Sequence, residues 1–392
     1  MPRLLIGICT MIYLLDGLIH SLLGPLAPAM AASLGLTNAQ LGPIFSANLA
    51  GQCLGLVLLP PLAARMGQRL VVLLALTGFG LAQAGTALAD GATSLIIWRL
   101  VTGFFLGGCL PSCLAMVTAA APEVRRGVAI MILFTGYGLG ATLAGVVATG
   151  FVEHGGWRAA MVGVGLVCIV TAAFSWMWLE EVPVETDSRA GAPTSVRALD
   201  IVSRRYFAGT LLLWLLFIFM LTISYCLNSW LPTLLVQVGH EQRFAALSVT
   251  IFSFGGIVAA LVVGVLIDRF GAVRTLVTFL GISTVLLYVI GDVLATASTT
   301  TLTVLLAACG FFVLGAYGGV NVVLATYYPS ALRATGIGWA KSIGRFGTLI
   351  APVLIGAALT AGMAETTILS LFAIPALLAA MSLILINRIQ RG

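Results

Sequence analysis

Twelve apolar stretches dominate this 392-residue chain, each near or above the roughly 20 residues that cross a bilayer as a helix. They lie near 4–30, 39–63, 70–90, 94–118, 128–151, 157–179, 206–235, 244–266, 274–295, 299–326, 334–359 and 366–387, with short polar breaks between them. With 60% hydrophobic and only 8% charged residues, the chain has too few charges to cover a soluble protein of this size. The expected class is an all-α membrane protein of twelve transmembrane helices. Its 45 glycines suit helices that pack closely in lipid, where small residues let backbones approach.

The first apolar stretch follows Met1-Pro2-Arg3 directly and is long enough to span, so no cleavable signal is expected. The net charge of +6 comes from basic residues at helix ends and gives no reason to expect nucleic acid as a partner. Seven cysteines, all inside apolar stretches, argue against a disulfide framework. Cys109 and Cys113 share a helical face, yet no histidine lies in that stretch, so they read as small packing residues and no metal site is expected. No Gly-rich loop ends in Gly-Lys-Ser/Thr, and the soluble sequence is too short for an ATPase domain. No cofactor is implied.

Lys and Arg set orientation. With an internal N-terminus, fourteen of the nineteen fall in internal segments, while external breaks carry Asp90, Glu153, Glu241 and Glu365. Both termini are therefore expected in the cytoplasm, with the chain multi-pass in the cytoplasmic (inner) membrane. From Glu180 to Arg205 the chain turns polar and contains an Ala-Gly-Ala-Pro-Thr-Ser run. The expected organisation is a six-helix bundle over 1–180, a cytoplasmic linker over 181–205 and a second six-helix bundle over 206–392. The halves read as repeats. Arg65-Met66-Gly67 recurs as Arg269-Phe270-Gly271 at an offset of 204, and Pro122 with Arg126 recurs as Pro329 with Arg333 at 207. A parallel duplication predicts two pseudo-symmetric bundles flanking a central cavity, with the site near the midplane and rocking that gives alternating access.

The segment Gly264-Val265-Leu266-Ile267-Asp268-Arg269-Phe270-Gly271-Ala272-Val273-Arg274 resembles the loop signature of the major facilitator superfamily. Its first-half counterpart has Ala64 where an Asp is expected. The resemblance implies a cytoplasmic gate at Asp268 and Arg269, with Arg65 in the degraded copy. Within the superfamily the chain is similar to the aromatic acid:proton symporters, themselves related to organic-anion transporters. Three segments carry this: Arg99-Leu100-Val101-Thr102-Gly103-Phe104-Phe105-Leu106-Gly107-Gly108, Ser229-Trp230-Leu231-Pro232-Thr233-Leu234-Leu235, and Tyr328 through Ala340. The family's first span usually reads Asp-Gly-x-Asp; here Asp16-Gly17-Leu18-Ile19 keeps the first acid and His20 follows. Lys341 stands where relatives usually have a neutral residue. The resemblance also implies that Arg99 acts in the transport cycle as a proton-coupling residue, through the proton-binding acid, a role that simple helix packing would rival.

Lys341, the only lysine, precedes Arg345 by four residues within an otherwise apolar stretch. At that spacing both project from one helix face. Charges near mid-bilayer are costly and turn toward a partner or a water-filled path, and two repelling cations are relieved by a bound anion. Arg345 lies ~18 Å along its helix from Arg333, near the midplane. Its planar donors suit a carboxylate, although an acid on another helix, such as Asp16, would satisfy it too. Lys341 could meet substrate or snorkel toward water. Asp16, ~18 Å into the first span, is the candidate proton-coupling group, since burial and nearby cations both govern its protonation; a permanent ion pair is the rival. His20 could relay the proton. Tyr137, Tyr225, Asn228, Phe252, Phe254, Tyr317 and Asn321 are candidate walls for the organic body of the cargo, each equally explicable as packing.

Intramembrane charges sum to +2 with Asp16 ionised and +3 without it, which favours anionic cargo. The expected function is proton-coupled import of an organic carboxylate, aromatic or small, by a monomer in the lipid bilayer with no enzymatic activity. A proton-coupled exporter of drugs or metabolites is the alternative. Against it, Gly136-Tyr137-Gly138-Leu139-Gly140 lacks the Gly-Pro signature common in span five of such exporters.

Overall fold

The computed structural model describes residues 2–122, 125–154, 156–181, 201, 203 and 206–391. Their long elements are α1 (Pro2–Leu34), α2 (Asn38–Met66), α3 (Gln68–Gly85), α4 (Ala92–Ala120), α5 (Arg126–His154), α6 (Gly156–Trp178), α7 (Phe207–Gln237), α8 (Gln242–Phe270), α9 (Ala272–Val293), α10 (Thr299–Tyr327) and α11 (Ser330–Thr360). The last span is broken at Phe372 into α12 (Glu365–Leu371) and α13 (Ala373–Arg391). No strand occurs among the described residues. Twelve helical spans are long and apolar enough to cross a membrane, so the all-α membrane class expected from the apolar pattern is the observed one. Helices outrun the apolar stretches at their ends, α2 continuing through Arg65 and α8 through Asp268 and Arg269. Charged side chains at a helix end can reach water, so they need not stop the backbone ladder. Most of the expected linker, 182–200 with 202, 204 and 205, lies outside the described residues.

The chain divides into two compact units, Met1–Thr186 with Glu241–Thr250, and Asp187–His240 with Ile251–Gly392. The start of α8 counts with the first because it packs on α5: the Thr250 hydroxyl donates to the Thr142 carbonyl at 2.6 Å.

Inside each unit the helices meet backbone to backbone at glycine. On α2, a Cβ at Gly51 would strike the Leu100 carbonyl oxygen, and one at Gly103 on α4 would strike that of Asn48. The second unit makes the same reciprocal pair, Gly255 against Ala307 and Gly310 against Phe252. On α5, Gly140 abuts the Leu14 carbonyl, and on α11 Gly347 abuts that of Ile218. Each pair of the second unit is the first-unit pair shifted by 204 on the earlier helix and 207 on the later one. The turn glycines repeat as well: Gly67 and Gly271 both take left-handed φ, 93° and 85°, at the start of the third helix of each unit. The duplication seen in the loop signatures thus extends to the contacts that set helix spacing.

Gly103→Ala should therefore overpack the α2–α4 crossing. A cost of roughly 1–3 kcal/mol or more should appear as a lower melting temperature in detergent. Gly281→Ala on α9, where a Cβ meets nothing within 4 Å, should leave melting unchanged.

Candidate functional site

In the first unit, Tyr13, Asp16, Gly17 and His20 share one face of α1, at helical spacings of three and four residues. Gly17 lets that face close on α5, since a Cβ there would strike the Tyr137 carbonyl oxygen. The Tyr137 ring then lies 5.3 Å from that of Tyr13 and 6.0 Å from the His20 imidazole. Asp16 is buried, only 1% exposed, and its charge reaches the thiols of Cys109 and Cys113 on α4. Asp16, His20 and Tyr137, chosen separately along the sequence, are thus gathered at the α1–α5 crossing. Tyr13 joins them; no charge or motif marks it in the sequence.

Arg99 on α4 is fully buried. Its guanidinium donates to Gln83 Oε1 at 2.7 Å and to Thr86 Oγ1 at 2.6 Å. Gln83 Nε2 in turn donates to the sulfur of Met161 on α6 at 3.0 Å. One side chain therefore binds α3, its terminal 3-10 turn (Thr86–Leu88) and, through Gln83, α6. Gln83, the only amide within 70–90, was the available signal for this network.

In the second unit, Arg345 is half-buried on α11 with Lys341 exposed one turn before it. The Arg345 charge reaches both Lys341 and the phenol of Tyr317 on α10. Gly344 and Gly347 flank Arg345 and press α11 onto Phe217, Ile218 and Leu221 of α7. Further along α7, Tyr225 is buried and Asn228 half-buried. Asn321 turns its amide back on its own helix, donating at 3.1 Å to the carbonyls of Tyr317 and Gly318. Phe252 is 1% exposed, its backbone against Gly310 in the α8–α10 crossing, whereas Phe254 is exposed. Arg345, Lys341 and Tyr317 are the candidates that the fold brings together here.

The gate candidates Arg65, Asp268 and Arg269 are exposed at the ends of α2 and α8, with the Arg269 guanidinium 5.3 Å from the Phe270 ring. A carboxylate does serve the first-half loop that lacks Asp at Ala64, but it comes from the end of α6. Glu181 accepts from the backbone N–H groups of Gln68 at 2.8 Å and Arg69 at 3.0 Å, capping α3. Arg69 also donates to the Trp176 carbonyl at 2.6 Å. No group of three or more His, Cys, Asp or Glu among the described residues is arranged to hold a metal.

Buried ionisable side chains within apolar spans, in two repeated six-helix units, define a membrane carrier. Comparison with known proteins makes this specific. The sequence profile of the Major Facilitator Superfamily matches residues 9–249 and 239–391. The chain is 31% identical to the gallate transporter of Pseudomonas putida, over 97% of this chain and 91% of that one. It is also 31% identical to the 3-(3-hydroxy-phenyl)propionate transporter of Escherichia coli, over 99% and 95%. With the 4-hydroxybenzoate transporter PcaK of Acinetobacter baylyi it shares 29% identity over 96% and 89%. The solved D-xylose-proton symporter has the same fold, with a TM-score of 0.79 at 16% identity, covering 96% of both chains. This chain belongs to the Major Facilitator Superfamily, within its aromatic acid:proton symporter family, and is a transporter rather than an enzyme.

The Glu181 cap can be tested by itself. Glu181→Ala should remove a helix cap worth about 1 kcal/mol and lower the melting temperature in detergent. Glu181→Gln, which keeps an acceptor oxygen, should lose less.

Proposed function

We propose that this transporter imports an aromatic carboxylate together with protons across the inner membrane, with both termini in the cytoplasm. The observation that supports this reading is the setting of Arg345: half-buried in an apolar span, one turn after Lys341 and within charge reach of Tyr317. The relatives point the same way, since gallate, 4-hydroxybenzoate and 3-(3-hydroxy-phenyl)propionate each pair a carboxylate with a ring.

In this mechanism the guanidinium of Arg345 holds both carboxylate oxygens, while Tyr317 flanks the ring of the cargo. Tyr225, Asn228 and Asn321 line the same unit, with Phe252 behind them as packing. Exposed Lys341 adds positive potential along the approach. Asp16 carries the coupled proton and His20 passes it on, with Tyr137 holding the imidazole in place. Arg99 fixes α4 against α3 and α6, so that movement of one is movement of all three. The bound carboxylate offsets positive charge on α11 and the bound proton neutralises Asp16, so fewer ionised groups must be occluded without a counter-charge of their own unit. Asp268, Arg269 and Arg65 form the gate at the cytoplasmic helix ends. The working parts are the bundles 1–180 and 206–392 with the linker 181–205, acting as a monomer.

Arg345→Ala should weaken binding of 4-hydroxybenzoate to the purified protein by well over tenfold, since loss of a buried charge-assisted partner costs roughly 2–5 kcal/mol. Arg345→Lys, keeping charge without the fork, should fall between the two. Unchanged binding by Arg345→Ala would remove the anion site from this helix. Asp16→Asn bears on proton coupling independently: counterflow in proteoliposomes, which needs no net proton movement, should survive while proton-driven accumulation is lost. Accumulation at the wild-type level would exclude Asp16 as the coupling group.

A further inference from the structure

Away from these clusters, the first unit carries a groove of about 460 Å³ between α1 and α6, whose lining includes Arg3, Gly7, Met11, Val170, Phe174 and Ser175. Gly7 makes it deep, because a Cβ there would meet nothing within 4 Å. Met11, Val170 and Phe174 form exposed apolar walls. From Arg3 to Met11 the groove runs about 12 Å along the helix, most of the roughly 15 Å that one leaflet contributes to the hydrocarbon layer. Three lining residues are polar, and one of them, Thr171, is satisfied by donating to the Val167 carbonyl at 2.7 Å. Exposed Arg3 stands at the end where α1 begins and α6 finishes. Ser175, fully buried, has a hydroxyl with no hydrogen-bond partner among the described residues.

The neighbourhood marks that end as the headgroup region. Trp176 and Trp178 are more than half exposed there, and such aromatic residues anchor helices at the membrane–water boundary. The Arg69 guanidinium lies 5.5 Å from the Trp176 ring, adding a second cation. The nearby Glu181 carboxylate is occupied by the start of α3, and Glu180 lies outside the lining.

We propose that this groove is a binding site for an anionic diacyl phospholipid. Arg3 pairs with the phosphate, the Ser175 hydroxyl donates to an acyl ester carbonyl just below it, and one acyl chain fills the slot from Gly7 to Met11. A simple apolar surface would need neither the cation nor the orphaned hydroxyl. A fatty chain alone would leave the hydroxyl unsatisfied, which is costly in hydrocarbon. The lipid would bridge α1, the helix that carries Asp16, to α6.

Native mass spectrometry of the full chain, delipidated and then titrated with phosphatidylglycerol or phosphatidylcholine, tests this. Wild type should retain phosphatidylglycerol roughly fivefold better, the advantage expected of one well-placed arginine. Arg3→Gln should erase that preference, Ser175→Ala should weaken retention of both lipids, and Gly7→Phe, which fills the slot, should abolish it. Unaltered melting of each variant would show that the fold is intact, and binding of 4-hydroxybenzoate would show the transport site to be intact. Equal retention of the two lipids by wild type, or retention unaffected by Gly7→Phe, would overturn the proposal. Displacement of the lipid by 4-hydroxybenzoate would overturn it too, by making the groove an acid site.

Discussion

Contact between helix backbones at glycine is the constraint on which the rest of this structure depends. Lipid offers helices no hydrophobic gain for pairing, so association rests on close van der Waals approach and on polar bonds across the interface. Gly17 and Gly140 bring α1 against α5, and Gly344 and Gly347 bring α11 against α7. These same crossings place His20 beside Tyr137 and hold Arg345 in its helix face. A side chain larger than hydrogen at any of them would push the helices apart and separate the groups that the chemistry needs. Site geometry here is a by-product of packing geometry.

That dependence explains what the sequence could and could not disclose. The spans were legible because each is a nearly uninterrupted apolar run, and the breaks Arg65–Arg69 and Asp268–Gly271 exposed the duplication. Helix ends were less legible, since Arg65 and Asp268 look like loop residues yet are helical. Partners across the fold were legible only in part, since the lone amide Gln83 marks a polar site in its span without tying it to Arg99. Glu181 reads as one acid in a polar linker, but it caps a helix 113 residues away. Arg99 reads as an isolated intramembrane cation, but it is held by Gln83 and Thr86 from the preceding hairpin. No periodicity encodes such pairings, because they follow from which helices the glycines allow to touch.

The repeat also separates residues that the scaffold needs from those it does not. Under the offsets that superpose the glycine crossings, Asp16 corresponds to Met220, Arg99 to Leu306, Lys341 to Phe134 and Arg345 to Gly138. Met220 and Leu306 are fully buried, so the same packing position is served by an apolar side chain in the other copy. The crossing glycines Gly51, Gly103 and Gly140 recur as Gly255, Gly310 and Gly347, whereas these charges occur in one unit only.

This asymmetry bears on how the charges should be read. An ionisable residue within a spanning helix is costly, most of all at its centre. Leu306 demonstrates that the corresponding site folds without that cost. Arg99 offsets its cost locally, with two side-chain acceptors within 2.7 Å, and so can serve as a fixed strut between helices. Lys341 and Arg345 stand one turn apart and raise each other's electrostatic energy. A carboxylate beside them would relieve that mutual repulsion. Two like charges one turn apart on a helix face attract an anion more strongly than either does alone, and that is the property the proposed carriage of an organic acid requires.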